Sequence, residues 1–135
     1  MTYTFLEHTA DIRMRVTGKT LEELFQDSLL GMVAAMKPIE PQEPIKIQRE
    51  ISIESHDTTA LLIDFLSEAL VFIHTKHEAY TEIKFHKLTN EFLEVELIGY
   101  KSERFTEDIK AVTYHEANIH KTESGLWSTN IIFDI

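Results

Sequence analysis

The chain has 135 residues, no cysteine and a formal net charge of −10, with 13 lysines and arginines against 23 aspartates and glutamates. This length suits a single domain with one hydrophobic core. The absence of cysteine excludes disulfides, thiolate catalysis and thiolate metal sites, and it suits a reducing compartment such as the cytoplasm. Because phosphate groups repel an acidic surface, we expect no direct binding of RNA or DNA.

No segment of the sequence predicts insertion into a membrane. The N-terminal residues lack a basic stretch followed by an apolar one, so a secretory signal is not predicted. The longest apolar stretch, residues 61–73, is interrupted by Asp64 and Glu68 and is shorter than a bilayer-spanning helix.

The first part of the chain predicts a strand followed by a helix. Residues 1–17 are expected to be extended, because apolar and polar residues alternate near their end. The apolar members of this alternation are Ile12, Met14 and Val16. Thr20 and Glu23 have the spacing of a capping box, which predicts the start of an amphipathic helix. Pro38 is expected to end that helix.

A second strand and a second helix follow. Alternating isoleucines predict a strand over 45–54, although Arg49 shares their face and argues against a fully buried strand. Asp57 or Thr58 is expected to cap the second helix. The rest of the chain predicts strands at 81–87, 91–99, 110–120 and 126–134.

These elements predict one α+β domain over residues 1–135. Two amphipathic helices among roughly six strands are expected to pack on one face of a mixed or mostly antiparallel sheet. No internal repeat, low-complexity tract or second domain is predicted, since glycine and proline are scarce.

The first candidate for chemistry is the pair His8 and Asp11 at the entry to a predicted strand. Together they could bind a metal ion or share a proton. An alternative interpretation is a capping aspartate beside a hydrogen-bonded loop histidine. The spacing alone does not decide between these two interpretations.

The second candidate is the carboxylate pair of Asp134 and, where Ile135 is the last residue, the α-carboxylate. Two anions this close repel each other unless a cation lies between them. If the first and last strands are neighbours, Asp11 could join the cluster. Three carboxylates would suit a divalent ion that prefers oxygen ligands, namely Ca²⁺, Mg²⁺ or Mn²⁺. The alternative is a frayed, solvated chain end.

The third candidate is the start of the predicted strand at Lys110. Lys110 could reach an acidic group or a phosphate, or it could be a solvated charge on a sheet edge. His115 could act as a base or be an ordinary surface histidine.

Two other patterns are weaker. His74 and His77 have the spacing of a chelating pair on a helix but lack an obvious third ligand. A sparse acidic stretch, which we interpret as solvated surface, consists of Glu40, Glu43, Glu50 and Glu54.

Five segments in the same order resemble the archease family. They are residues 5–12 (FLEHTADI), 18–25 (GKTLEELF), 61–68 (LLIDFLSE), 110–115 (KAVTYH) and 133–135 (FDI). Each segment alone has low specificity, but the ordered set covers nearly the whole chain and is specific.

The resemblance implies an accessory protein rather than an enzyme. Its partner would be the GTP-dependent RNA ligase of tRNA splicing, whose active-site histidine it helps to become guanylylated and whose repeated turnover it permits. Position by position, the family's divalent-metal ligands would be Asp11, Asp134 and the Ile135 carboxylate, and Lys110 matches a lysine required for activation. Such a protein need not contact RNA.

Two other functions and a purely structural role stay open at this point, although the polar residues concentrated at the two chain ends argue against the structural role. A metal-dependent phosphoesterase could use His8 and Asp11 together with Asp134, and it would act on small phosphoesters without a partner. A chaperone-like module for RNA- or DNA-processing proteins would suppress aggregation of many clients and would tolerate loss of Asp11.

Overall fold

The computed structural model describes residues 2–6 and 11–135. In chain order the elements are β1 (Tyr3–Leu6), β2 (Asp11–Gly18), α1 (Leu21–Met36), β3 (Lys46–Glu54), α2 (Thr58–Lys76), β4 (Glu78–Leu88), β5 (Phe92–Lys101), β6 (Ala111–Thr113), β7 (His120–Lys121) and β8 (Trp127–Asp134).

The strands form two antiparallel sheets. One sheet has the order β1-β2-β8-β6, with β7 also paired to β8, and the other has the order β3-β5-β4. The predicted α+β class is confirmed, and the predicted mixed or mostly antiparallel pairing is antiparallel throughout the described strands. The sequence predicted one sheet, because alternation identifies strands but does not identify their partners.

The capping box at the start of α1 forms in a modified way. The Thr20 hydroxyl accepts a hydrogen bond from the Glu23 amide at 3.1 Å, as predicted. The Glu23 carboxylate reaches the amide of Lys19, at 2.6 Å, rather than that of the capping residue itself. At the other end, Lys37 has left-handed backbone angles and closes the helix just before Pro38.

Helix α2 begins with the predicted cap, since the Asp57 carboxylate accepts from the Ala60 amide at 2.8 Å. By length and composition α2 could cross a membrane. Its apolar stripe is packed in the core instead, as in the core helices of many globular proteins.

One hydrophobic core connects the two helices with both sheets. Helix α1 packs against β2 of one sheet and β4 of the other, and α2 contacts β3 and β6. Phe25 of α1 stacks on Phe65 of α2 with 6.1 Å between ring centroids. Met14 of β2 and Phe133 of β8 are fully buried in the same cluster. Each side chain of this size contributes roughly 1.5–3 kcal/mol through burial.

The predicted strand over 110–120 is wrong in its middle. Residues 111–113 and 120–121 are separate strands, and the chain between them turns, with a positive φ of 62° at Glu116. Side chains hold this turn in place: the Tyr114 hydroxyl donates to the Asp64 carboxylate of α2, and the Ile119 amide donates to the Thr59 hydroxyl at 3.0 Å. These contacts come from distant parts of the chain, so local alternation could not reveal them.

Candidate functional site

Asp11 and Asp134 lie directly opposite each other on neighbouring strands. The register of β2 and β8 pairs Asp11 with Asp134, and that of β6 and β8 pairs Asp134 with Ala111. In such a pair the Cβ atoms are about 4.5–5.5 Å apart and the side chains share a face of the sheet. The structure therefore brings the two carboxylates together at the end of the larger sheet, beside Ile135.

The same register explains why these carboxylates avoid the core. The next pair along the strands is Ile12 and Phe133, and Phe133 is fully buried. Because side chains alternate across a sheet, Asp11 and Asp134 point away from the face that packs on the core. Asp134 is exposed, whereas Asp11 is half-buried and its Oδ1 atom is shielded from solvent.

Lys110 is hydrogen-bonded to this end of the sheet by its backbone amide. Its amide donates to the carbonyl of Asp134 at 2.7 Å, which extends the pairing of β6 and β8 by one hydrogen bond. Lys110 is exposed and lines a shallow cavity with Val71 and His74 near the C-terminal end of α2. The lysine thus adjoins the aspartate pair while facing the end of a helix.

A larger cleft adjoins the paired strands. It has a volume of about 440 Å³ and includes Asp11 and Ile135. The remaining lining residues come from β1, β2, the C-terminal end of α1 and the segment before β6: Phe5, Leu6, Ile12, Ala34, Ala35, Lys37, Glu107 and Asp108. Phe5 is 45% exposed and Ile135 is 50% exposed, so the cleft combines apolar surface with acidic groups.

Sequence reasoning missed Glu107 and Asp108. They lie in an irregular segment that has no alternation or helical period, although its acidic composition was visible. Lys37 approaches Glu107 at 4.0 Å, and both side chains are exposed, so this ion pair contributes little to stability.

The arginine next to the aspartate pair is already paired. Arg13, two residues from Asp11 on the same face of β2, forms an ion pair with Glu116 of the turn after β6. Ile132 lies opposite Arg13 on β8 and is buried, although it points away from the main core. This ion pair links the turn after β6 to β2 close to the two aspartates.

The histidines are dispersed. His8 lies outside the described residues. His115 is exposed in the turn after β6 and does not line the cleft with Asp11. His74 contacts Asp108 at 3.3 Å and shares a cavity with His77.

Comparison with known proteins identifies the family of this chain. A model of the archease protein family (MTH1598/TM1083) matches residues 3–135. The chain belongs to the archease family. The archease of Thermococcus gammatolerans is 34% identical over 136 residues, covering 96% of this chain and 95% of that protein. The archease of Methanosarcina barkeri is 33% identical over 144 residues, covering 98% and 95%.

Two solved structures have the archease fold seen here. Protein 1598 of Methanobacterium thermoautotrophicum matches with a TM-score of 0.72 and 25% identity, covering 98% of both chains. A Thermotoga maritima protein described as an archease and possible chaperone matches with a TM-score of 0.70 and 23% identity, covering 96% of this chain and 94% of that one.

Proposed function

We propose that this archease is a non-catalytic activator of the GTP-dependent RNA ligase of tRNA splicing. It would promote guanylylation of the ligase histidine and permit multiple turnover. The observation that carries the proposal is the opposition of Asp11 and Asp134 at an accessible sheet end, in a chain of the archease family. These are the positions at which the family resemblance implies metal ligands.

The donor set fits a divalent ion. Asp11 and Asp134 offer carboxylate oxygens from directly opposed positions on neighbouring strands. Where Ile135 is the last residue, its carboxylate would be a third oxygen donor. Oxygen donors favour Ca²⁺, Mg²⁺ or Mn²⁺. When bound, the ion would supply positive charge to an otherwise acidic sheet end.

The surroundings of the pair suit a basic protein partner. The net charge is −10, and Glu107 and Asp108 add acidic groups to the cleft beside Asp11. Phe5 and Ile135 add exposed apolar surface. Complementary charge speeds encounter with a basic surface such as the RNA-binding groove of a ligase, and buried apolar area then stabilises the complex. Lys110 would contact an acidic or phosphate group of that partner.

The direct test is an assay of guanylylation and multiple-turnover joining by the ligase, with and without this protein. We expect strong stimulation by the wild type and little by Asp11→Ala. Glu123→Ala is the matched control, because it removes the same charge from an exposed turn before β8. Circular dichroism should show that Asp11→Ala and Glu123→Ala are both folded. Equal stimulation of the ligase by Asp11→Ala and by the wild type would then rule out a role for the aspartate pair.

A chaperone-like function is the second candidate, because the Thermotoga maritima relative is described as a possible chaperone. It predicts suppressed aggregation of unrelated RNA- and DNA-processing proteins, equally by wild type and Asp11→Ala. A phosphoesterase would instead hydrolyse small phosphoesters without any ligase present. Stimulation of the ligase by the wild type but not by Asp11→Ala would favour the activator over both alternative functions.

A further inference from the structure

We propose that Glu50, His86 and Glu96 form a second metal site, for a divalent ion such as Zn²⁺, on the outer surface of the smaller sheet. One ligand atom from each residue lies within 4.8 Å of the other two. The three residues come from the neighbouring strands β3, β4 and β5. This site is separate from the aspartate pair and does not depend on the ligase proposal.

The register of the sheet places the two carboxylates together. Glu50 of β3 lies directly opposite Glu96 of β5. Two like charges at such positions destabilise a sheet. Within the described ranges, neither glutamate forms an ion pair with a lysine or arginine at 4.0 Å or less. A bound cation would remove this repulsion.

An irregularity in β4 supplies the imidazole. The pairing of β4 with β5 shifts register between Phe85 and Lys87, so His86 is the extra residue of a β-bulge. Bulges redirect side chains out of the regular alternation of a strand. Here His86 approaches Glu50, which lies on the far side of β5. All three residues belong to strands rather than to a loop.

The donor set distinguishes this site from the one at the sheet end. An imidazole nitrogen with two carboxylates suits Zn²⁺ and its neighbours, whereas Ca²⁺ and Mg²⁺ prefer oxygen ligands alone. Bonds of 2.0–2.2 Å in a tetrahedral site would place ligand atoms roughly 3.4 Å apart. Glu50 and His86 are exposed, so small rotations of their side chains can close the remaining gap. Three protein ligands leave a fourth position for water.

Lys84 is the competing cation. It lies opposite Glu96 on β4 and is exposed. Lys84 could offset the charge of Glu96 alone, but it offers no ligand atom while protonated. If Lys84 competes with the metal, Lys84→Gln should strengthen Zn²⁺ binding. If the cluster instead relies on Lys84 in place of a metal, Lys84→Gln should destabilise the protein and no Zn²⁺ should bind.

Calorimetric titration of the tag-free protein with Zn²⁺, in excess Ca²⁺, tests the proposal. We expect one equivalent of Zn²⁺ to bind and His86→Gln to weaken the affinity for Zn²⁺ by more than about tenfold. Substitution of residues that only support metal ligands already weakens metal affinity about tenfold, so the loss of a ligand should cost more. His56→Gln is the matched control, because His56 is an exposed histidine outside the cluster. Asp11→Ala should leave the binding of this equivalent of Zn²⁺ unchanged.

Nuclear magnetic resonance of the same samples locates the ion. Zn²⁺ should shift the imidazole resonances of His86 before those of the other histidines. Unchanged affinity in His86→Gln, or shifts confined to His74 and His77, would overturn the proposal. Loss of binding in Asp11→Ala but not in His86→Gln would do the same, because it would assign the ion to the sheet end.

Discussion

Arg49 of β3 donates two hydrogen bonds to the Glu78 carboxylate at the start of β4, at 3.1 Å from Nε to Oε1 and 2.7 Å from Nη2 to Oε2. The Tyr80 hydroxyl donates to the same carboxylate at 2.7 Å. The guanidinium also lies 4.3 Å from the centroid of the Phe72 ring on α2. Glu78 is buried, so its charge is balanced by a network that joins α2 to both strands.

Removal of Arg49 should destabilise the protein strongly. Arg49→Met preserves much of the packing on Phe72 but leaves the buried Glu78 carboxylate with Tyr80 as its remaining donor in this network. Breaking a buried ion pair costs about 3–5 kcal/mol, and partial exposure of Arg49 places the expected loss at about 2–4 kcal/mol. Urea unfolding measures it. Glu107→Gln, which breaks the exposed pair with Lys37, is the control and should cost less than about 1 kcal/mol.

The contribution of Glu78 should depend on pH in the acidic range. Burial raises the pKa of its carboxyl, but hydrogen bonds from Arg49 and Tyr80 and the charge of Arg49 together lower this pKa below its ordinary value of 4.5. A carboxyl with a lower pKa in the folded state stabilises that state above the unfolded pKa and loses this contribution as the pH falls through the folded pKa.

We therefore expect the stability difference between wild type and Glu78→Gln to be constant near neutral pH and to shrink below about pH 4.5. The free energy of unfolding in urea, measured between about pH 3 and pH 7, gives this difference. A difference that stays constant across the whole range would show that the pKa of Glu78 is the same in both states.

The Arg49 network also shows which contacts of the fold could be predicted from the sequence. The polar position in an isoleucine strand was recognised, but its partner was not, because Glu78 lies before the predicted start of β4 at residue 81. By contrast, Thr20 and Asp57 were predictable caps, since each contacts an amide three residues away. The cap signals lie within three residues of each other, whereas Arg49 and Glu78 are 29 residues apart and meet only in the folded sheet.

The candidate site was predictable to a similar extent. Asp11 and Asp134 were selected from the sequence, and their opposition followed only once β2 and β8 were seen to pair. Glu107 and Asp108 were missed, because the irregular segment that carries them has no periodic pattern. His86 was missed because a bulge, which local alternation does not encode, redirects it.

Gly99 should be intolerant of any side chain, unlike Gly125. A Cβ at Gly99 would lie 1.9 Å from the carbonyl oxygen of Ala79 on the neighbouring strand, so the backbone of β4 or β5 must shift. We expect Gly99→Ala to cost about 3 kcal/mol or more. Gly125 has a φ of +85° but no atom within 4 Å of a built Cβ, so Gly125→Ala should cost about 1–2 kcal/mol through backbone strain alone. Similar thermal unfolding of the two variants would contradict this ranking.

Residues added after Ile135 should impair ligase activation without unfolding the protein. Asp134 is exposed and Ile135 half exposed, so an appended Gly-Ser segment would meet solvent rather than the core. The extension would move the α-carboxylate away from Asp11 and Asp134 and remove the third proposed oxygen ligand. We expect normal thermal unfolding, weaker binding of divalent ions by calorimetry and reduced ligase guanylylation. The same segment inserted at the exposed turn around Gly125 is the control and should leave all three measurements unchanged. Full activation by the extended chain would remove the α-carboxylate from the proposed site and leave the two aspartates as its ligands.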